Sequence, residues 1–197
     1  MQSPEQTTAN DLKDYILVLD DFLDSKTCDD LVTWFDNNEQ LHQNGPVTTG
    51  YNESIKKCME ATIPSELYGQ TLTNTAMGAY EIWLKKGLGG HREDLYLTGY
   101  SISKYPKGDG WFEEHVDRSP GIFAHRIFGV LIYLNDVDEG GGTEFTRQRV
   151  TVSAKKGRVV IFPAEFMFPH RGQIPISGDK YLIPMFINFN PYSYQVQ

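Results

Sequence analysis

The sequence has little of three features that mark particular protein classes. Only two cysteines occur, Cys28 and Cys58, far apart and outside any Cys-x-x-Cys pattern, so we expect buried or partly exposed thiols rather than a zinc knuckle or a disulfide framework. No run of about 18 apolar residues is present, and the polar N-terminal stretch lacks the apolar core of a signal peptide. These absences predict a soluble, cytoplasmic protein without a transmembrane segment.

Basic residues are scarce relative to acidic ones. The chain has 18 Lys and Arg against 26 Asp and Glu, which gives a net charge of -8 and a pI of about 5.1. This is the wrong sign for holding a phosphate backbone, so no nucleic-acid partner is expected. A peptide, a protein or a small molecule suits this charge better as a substrate.

The length of 197 residues fits one domain with a sizeable core. We expect residues 1–13, which are rich in Ser, Thr and Gln, to be frayed. Residues 14–94 are expected to supply a strand and helical support, and residues 95–190 to form a β core. The prediction is therefore a single domain over residues 1–197.

The N-terminal half has the patterns of one strand followed by helices. The apolar run 15–19 predicts a strand, and Ser25 is a suitable N-cap for the helix behind it. Residues 37–52 are rich in Gln, Asn, Gly and Thr and predict a long loop. A second helical stretch is predicted over residues 53–62, and a third, opened by a proline, over residues 64–84.

From Leu95 onward the pattern changes to short runs rich in Tyr, Ile, Val and Phe, separated by Gly, Pro and Asp. This spacing is typical of an antiparallel sandwich or barrel. The predicted strands are 95–104, 111–116, 126–134, 149–153, 158–162, 170–175 and 180–189. The fold class is therefore mainly β with flanking helices, with the helices preceding a double-sheet core.

Two short stretches offer a histidine and a carboxylate at positions i and i+2. In a strand these positions point to the same face, so His115 and Asp117 could bind one metal ion. The stretch His91-Arg92-Glu93 has the same spacing, but its polar surroundings after a predicted helix stop favour a solvated loop. The pair His115 and Asp117 is the better candidate.

A third ligand would complete the two-histidine, one-carboxylate set that non-haem Fe(II) oxygenases use, with the opposite face of the ion left open. His170 follows an apolar strand and is the first candidate, although a buried core histidine has the same pattern. His125, at the start of another predicted strand, is its rival, whereas His42 lies in the Gln- and Asn-rich loop and is expected to be exposed. Lys180 supplies a cation ten residues after His170.

The C-terminal half resembles the Fe(II)- and 2-oxoglutarate-dependent dioxygenases, and within them the prolyl 4-hydroxylase-like branch. The resemblance spans about residues 97–189 and rests on motifs in one order. They are Tyr105, Gly108, His115-Val116-Asp117, Arg126, Tyr133-Leu134-Asn135-Asp136-Val137, Gly141-Gly142-Thr143-Glu144-Phe145, Lys156-Gly157-Arg158, His170 and Gly178-Asp179-Lys180-Tyr181. This resemblance implies a distorted double-stranded β-helix, a jelly-roll form, preceded by the N-terminal helices.

By this resemblance, His115, Asp117 and His170 ligate Fe(II), and Lys180 anchors the far carboxylate of 2-oxoglutarate. A buried anion needs a fixed cation, which Lys180 would provide. Arg171 is an alternative anchor, but the pleat of the strand would point its side chain away from the face of His170.

Further residues match positions that surround the family's co-substrate and substrate. Tyr105, Tyr133 and Thr143 match the pocket that holds 2-oxoglutarate, where hydroxyl groups can donate to its carboxylate. Arg126 matches an arginine on the substrate side, where it would bind a peptide carbonyl or a carboxylate. Trp111 lies next to the loop 106–110, where a lid would sit, and glycines in this loop favour mobility.

The chain departs from the family pattern near its last predicted strand. Phe186 stands where the family often has tryptophan, six residues after the anchoring lysine. Pro184 precedes it, and a proline within a strand indicates an edge strand or a bulge.

The resemblance implies an enzyme that uses Fe(II), 2-oxoglutarate and O2, with ascorbate as a possible reductant, to hydroxylate an unactivated C–H bond. A prolyl residue in a peptide or protein is the first expected substrate, and a free amino acid or another small molecule is the second. A jelly-roll binding protein with a vestigial metal site is the non-catalytic alternative.

Overall fold

The computed structural model describes residues 11–47, 50–90 and 94–190. Within these ranges the fold is mostly β, with two α-helices, α1 (Ser25–Asp36) and α2 (Gln70–Lys85). The predicted frayed segment 1–13 lies largely outside the described residues. Its last part was predicted wrongly, because Asp11 caps a short 3-10 helix, Leu12–Tyr15, through a reciprocal capping box with Asp14.

The strands make up the rest of the regular structure. They are β1 (Leu17–Leu19), β2 (Gln43–Asn44), β3 (Lys56–Lys57), β4 (Met59–Thr62), β5 (Leu95–Thr98), β6 (Ser101–Tyr105), β7 (Trp111–His115), β8 (Arg126–Tyr133), β9 (Thr143–Phe145), β10 (Val150–Val152), β11 (Val159–Pro163), β12 (His170–Gly172) and β13 (Lys180–Phe189). Further 3-10 turns span Glu39–Leu41 and Gly121–Phe123, and a single π turn, Ser65–Gly69, leads into α2.

The helix α1 forms for reasons visible in the sequence. Asp24, one residue before the predicted cap Ser25, accepts a hydrogen bond from the Thr27 amide at 2.9 Å and begins α1. The apolar face of α1 buries Cys28, Leu31 and Phe35. Over the described ranges, no helix combines the length and the apolar character needed to cross a membrane.

The strands form two antiparallel sheets. The larger has the order β1-β11-β8-β13-β6-β4-β2, with β5 also paired to β13, and the smaller has the order β10-β9-β12-β7-β3. Side chains alternate along β8, so Val130 and Ile132 pack toward the helices whereas Leu131 and Tyr133 join the core between the sheets. The central strands are therefore apolar on both faces, which explains their continuous apolar sequence.

The helix predicted over residues 53–62 is wrong. This segment instead forms β3, which pairs with β7 in the smaller sheet, and β4, which pairs with β6 in the larger one. Only Cys58 separates the two strands, so the chain passes from one sheet to the other at this residue. Pairing with two neighbouring strands overrides the local helical pattern.

Other boundaries also differ from the predictions. The strand expected over 95–104 is two strands, β5 and β6, because the chain turns at Gly99, whose φ of +93° suits glycine. The strand β9, Thr143–Phe145, was not predicted, since it is short and follows three glycines. Cys28 and Cys58 are both buried free thiols.

The expectation that Pro184 marks an edge strand is wrong. Pro184 lies in the middle of β13, a central strand that pairs with β8 on one side along its length. On the other side, β6 pairs with Lys180 to Leu182 and β5 pairs with Phe186 to Phe189. Pro184 falls in the gap between these two neighbours. No described strand pairs with it on this side, so the amide hydrogen that proline lacks is not needed there.

Candidate metal centre

Three side chains from adjacent strands of the smaller sheet meet at one point. His115 ends β7, Asp117 follows two residues later, and His170 begins β12 directly opposite His115. Their ligand atoms all lie within 4.8 Å of one another, which is a group that could hold one metal ion. The Asp117 carboxylate lies between the rings, with Oδ1 3.8 Å from His115 Nε2 and Oδ2 3.8 Å from His170 Nε2.

The other candidates do not join this group. His125 and His42 are absent from it, and His42 is not exposed as expected but stacks on Phe35 with ring centroids 3.9 Å apart. The stretch His91-Arg92-Glu93 lies outside the described residues.

Both imidazoles are oriented by hydrogen bonds to the backbone. Nδ1 of His115 lies 2.8 Å from the Glu113 carbonyl oxygen, and Nδ1 of His170 lies 3.0 Å from the Phe168 carbonyl oxygen. A carbonyl only accepts, so each Nδ1 carries the proton and each Nε2 presents its lone pair toward Asp117. Burial and the neighbouring His170 ring lower the pKa of His115 well below its usual value, which favours the neutral form that binds metals.

The Asp117 carboxylate is buried without complete pairing. Its side chain is 7% exposed, and Oδ2 has no hydrogen-bond partner among the described residues. Burial raises the pKa of Asp117, because the charged form loses water. A buried carboxylate whose two oxygens each face an imidazole lone pair is costly unless a cation joins the group, so the donor set fits a metal ion.

Space for the carboxylate depends on a glycine in β8. A Cβ on Gly129 would lie 2.5 Å from Asp117 Oδ2 and 2.6 Å from the Phe162 ring, so a larger side chain would displace one of them. Phe162 in turn packs edge-on against the His170 ring at 4.9 Å, and Phe112 stacks on the His115 ring at 3.7 Å. These contacts fix the positions of the candidate ligands.

A cavity of about 500 Å³ lies beside the three side chains. At one end it is lined by Tyr105, Leu131, Thr143 and Lys180. Lys180 is only 1% exposed, and its Nζ lies 4.3 Å from the centre of the Tyr105 ring. Burial lowers the pKa of Lys180 to about 8, and within the described part of the chain it has no ion pair. A buried, unpaired ammonium group in a cavity is a site for an anion.

The remaining co-substrate candidates differ in position. Thr143 lines the cavity, whereas Tyr133 lies behind it and donates a hydrogen bond of 2.7 Å to Thr143 Oγ1. Thr143 can therefore turn its own hydroxyl proton toward the cavity. Arg171 points outward, as the strand pleat predicts, and forms an ion pair of 2.9 Å with Glu144.

Arg126 lies at the other end of the cavity. Its guanidinium is held between the rings of Phe123 and Phe186, 3.9 and 3.5 Å from their centres, and donates 3.1 Å to the Asp117 carbonyl oxygen. Trp111 does not line the cavity; it belongs to β7 and pairs with Lys57 on β3.

The loop 106–110, predicted as a lid, also lies outside the cavity lining. It is a turn tied to residues 175–179, because Gly108 N donates 2.7 Å to the Pro175 carbonyl and Lys107 N donates 2.8 Å to Asp179. These bonds fix the turn against the C-terminal segment, so its position does not support a lid over this cavity.

Sequence reasoning missed one polar pair in the cavity wall. Lys56 and Glu60 both line the cavity and form a buried ion pair. The segment resembled a surface helix, because Lys and Glu four residues apart also pair across one helical turn. No local signal separates these two arrangements.

Comparison with known proteins agrees with this geometry. Residues 100–188 match the family model of the 2OG-Fe(II) oxygenase superfamily. No curated protein matches the chain.

Several solved structures share the fold. A viral collagen prolyl hydroxylase from Paramecium Bursaria Chlorella virus-1, in its 2OG complex, is 18% identical, with a TM-score of 0.66, over 89% of this chain and 96% of that one. A Pseudomonas putida prolyl-4-hydroxylase is 20% identical, with a TM-score of 0.68, over 88% of this chain and 92% of that one. A Trichoplax adhaerens prolyl hydroxylase, in complex with a hypoxia inducible factor peptide fragment, is 19% identical, with a TM-score of 0.68, over 92% of this chain and 88% of that one.

At these low identities, the similarity of the structures establishes only the fold. It confirms the predicted mainly β fold, a double-stranded β-helix jelly roll with flanking helices. The matched family model covers all three side chains of the candidate metal centre as well as Lys180. Residues 100–188 thus belong to the 2OG-Fe(II) oxygenase superfamily, and the chain that contains them is an enzyme of the 2-oxoglutarate-dependent dioxygenase class.

Proposed function

We propose that this oxygenase hydroxylates a prolyl residue in a peptide or protein. One observation carries the oxygenase chemistry. Among the described residues, two imidazole lone pairs and a buried carboxylate oxygen without a hydrogen-bond partner meet beside a cavity, and this cavity contains a buried lysine without an ion pair. Such an arrangement offers a cation site and an anion site side by side, as Fe(II) and 2-oxoglutarate require.

Each residue has a definite task in this proposal. His115, Asp117 and His170 would hold Fe(II) through their Nε2 and carboxylate oxygen atoms, beside the cavity that they line. Together, Fe(II), 2-oxoglutarate and O2 supply the oxidising chemistry, in which 2-oxoglutarate becomes succinate and CO2 and a substrate C–H becomes C–OH. The protein contributes by binding, orienting and excluding water.

Lys180 binds the far carboxylate of 2-oxoglutarate in this account. Its ammonium is desolvated before the anion arrives, so the charge pair forms in a medium where attraction is strong. Thr143 and Tyr105 lie beside Lys180 and can donate hydroxyl protons to the same carboxylate. Leu131 and Leu182 line this end of the cavity and keep water from it.

A prolyl peptide is the proposed substrate for two reasons. The similar structures are prolyl hydroxylases, and one of them contains a peptide fragment. In this chain the end of the cavity opposite Lys180 is lined by Phe123, Phe186 and Arg126, which offers apolar walls for a pyrrolidine ring and a donor for a peptide carbonyl.

The surroundings of the reaction are also proposed. Ascorbate is the expected reductant that keeps the iron ferrous. The two free, buried cysteines suit a reducing compartment, so we propose that the protein acts in the cytoplasm as a single oxygenase domain.

The oxygenase reaction is tested by measuring succinate release. Purified protein is incubated with Fe(II), ascorbate, 2-oxoglutarate and proline-containing peptides, and compared with a His170→Ala variant treated in the same way. We expect release in the wild type that peptide increases, and background release in the variant. Equal release by the two proteins would reject the proposed function.

A further inference from the structure

Lys56 and Glu60 form an ion pair in the cavity wall that the proposed chemistry does not use. Nζ of Lys56 lies 2.5 Å from Oε1 of Glu60, and the two residues are 7% and 9% exposed. Burying two charges costs several kcal/mol each before their attraction is counted, and apolar residues often stabilise a protein equally well. Stability alone therefore does not explain a charged pair at this position.

The pair is held in place by three strands. Lys56 lies on β3 of the smaller sheet and Glu60 on β4 of the larger sheet, so the ion pair bridges the two sheets at the edge of the cavity. Ser103 on β6 donates a hydrogen bond of 2.9 Å to the same carboxylate oxygen. Glu60 is thus fixed from both sides and positions the ammonium of Lys56.

Lys56 lies close to the candidate metal centre. Its ammonium is 5.0 Å from the centre of the Phe112 ring, and Phe112 stacks on the ring of His115. A lysine has three N–H donors, and among the described residues only Glu60 accepts from Lys56. At least one donor is therefore left for a group that enters the cavity.

The charge balance indicates what that group is. Lys180 has no ion pair within the described part of the chain and suits an anion, but the charge of Lys56 is already balanced by Glu60. A second carboxylate beside Glu60 would be repelled, whereas a neutral oxygen would only accept a hydrogen bond. A neutral acceptor therefore fits Lys56 better than an anion.

We propose that Lys56 binds a backbone carbonyl oxygen of the peptide substrate next to the residue that is hydroxylated. Glu60 is the positioning residue that holds Lys56 for this contact. The inference rests on the proposed function and deepens it, because it requires a substrate with peptide groups rather than a free amino acid.

The test measures binding without turnover. Protein loaded with Mn(II) and 2-oxoglutarate, in the absence of oxygen, is titrated by calorimetry with proline-containing peptides blocked at both ends, and separately with free L-proline. The variants are Lys56→Met, Lys56→Arg and Glu60→Gln. Lys57→Met is the matched control, because Lys57 is the next residue on β3 but lies outside the cavity lining and pairs with Glu53 and Asp109.

We expect Lys56→Met to weaken binding of the blocked peptide about tenfold, the effect of losing one hydrogen bond from a charged donor. Lys56→Arg should recover part of the loss, and Lys57→Met should bind like the wild type. With Fe(II) and oxygen, Lys56→Met and Glu60→Gln should raise the KM for the peptide more than they lower kcat. A purely structural role for Glu60 would not raise KM more than it lowers kcat.

A double variant, Lys56→Met with Glu60→Leu, is the control for folding, because it leaves no lone buried charge. It should unfold near the wild-type temperature and should bind the peptide as weakly as Lys56→Met does. Equal peptide affinity for Lys56→Met and Lys57→Met would overturn the proposal. So would wild-type protein that binds free L-proline but no blocked peptide, or neither probe.

Failure of the oxygenase function gives a different result. In that case the wild type releases no more succinate than His170→Ala, and the calorimetric comparison of Lys56→Met with Lys57→Met still decides the role of Lys56.

Discussion

Two lysines line the same cavity, and the surroundings of their ammonium groups differ. The ammonium of Lys180 lies over the ring of Tyr105 and has no ion pair among the described residues, and burial lowers its pKa to about 8. Lys56, at a comparable degree of burial, is paired with Glu60. Burial alone thus does not define what a cation binds. A buried cation without a partner has affinity for an anion, whereas a cation whose charge is balanced offers only directed N–H donors.

The largest expected effect tests the candidate metal centre that lines the same cavity as the two lysines. His170→Ala removes one of the three metal-binding side chains, so we expect the affinity for Mn(II) or Fe(II) to fall more than about 100-fold. This loss exceeds the one expected when only a hydrogen bond to a metal ligand is removed. Calorimetric metal titration measures this, and His125→Ala, which alters a histidine outside the group, is the control. Equal loss in both variants would mean that metal binding does not depend on the group formed by His115, Asp117 and His170.

The next largest effect is on 2-oxoglutarate affinity and distinguishes the two lysines. Lys180→Met should weaken 2-oxoglutarate binding about ten- to a hundredfold, because a charged hydrogen bond to the carboxylate is lost, with little change in metal affinity. Lys56→Met should change 2-oxoglutarate affinity far less than Lys180→Met does. Calorimetry with Mn(II)-loaded protein measures both. Comparable effects of the two substitutions would remove the distinction between a lone and a paired cation.

The protonation of Lys180 should have an effect of intermediate size on the affinity for 2-oxoglutarate. In the protein without 2-oxoglutarate its pKa is about 8, lowered by burial, so Lys180 loses its charge as the pH rises from 7 to 9. Affinity for 2-oxoglutarate should therefore fall about tenfold over this range. Lys180→Arg, which stays charged, should show a flatter dependence. The same slope in both proteins would assign the pH effect to another group.

The pKa of Lys180 also has a consequence for stability. The pKa of Lys180 in the folded protein lies below the ordinary lysine value of 10.5, so the charged lysine destabilises the folded protein at neutral pH. This cost is present in full below pH 8 and disappears as the pH rises past the unfolded pKa. Lys180→Met without 2-oxoglutarate should therefore unfold at a higher temperature than the wild type at pH 7, and a given concentration of 2-oxoglutarate should raise the unfolding temperature of the wild type more than that of the variant.

The smallest expected effect concerns the support of the anion site. Tyr133 donates a hydrogen bond to Thr143, which faces the cavity beside Lys180. Tyr133→Phe should raise the Kd for 2-oxoglutarate by about two- to tenfold, the range for one neutral hydrogen bond. Tyr68→Phe, which alters a tyrosine packed against the helical core, is the control. No difference between the two variants would leave Thr143 without a role in anion binding.

The parts of the site that were predictable share a physical cause. His115 and Asp117 are two residues apart on a strand, and the period of a strand places such residues on one face. His170 follows the apolar strand β11 and Lys180 begins the apolar strand β13, so both were expected to be buried, and a buried polar side chain must face either a partner or a cavity. Local periodicity therefore selected His115 and Asp117, whereas the resemblance to the family favoured His170 over His125 and gave Lys180 its predicted role.

The pair Lys56 and Glu60 was less predictable because it depends on pairing between distant strands. Lys56 and Glu60 are four residues apart, which is the spacing of a helical ion pair, and nothing within residues 53–62 reveals that β7 and β6 will pair with them. Pro184 shows the same limit, since its place in a central strand is possible only because β6 ends and β5 begins on either side of it.

The most direct measurement is a crystal structure of the protein with Mn(II) and 2-oxoglutarate, grown without oxygen. Our account predicts one metal ion bound by His115 Nε2, an Asp117 carboxylate oxygen and His170 Nε2, with the far carboxylate of 2-oxoglutarate within hydrogen-bond distance of Lys180 Nζ. A metal ion bound elsewhere, or a far carboxylate held by Arg126 or Lys56 instead of Lys180, would contradict it.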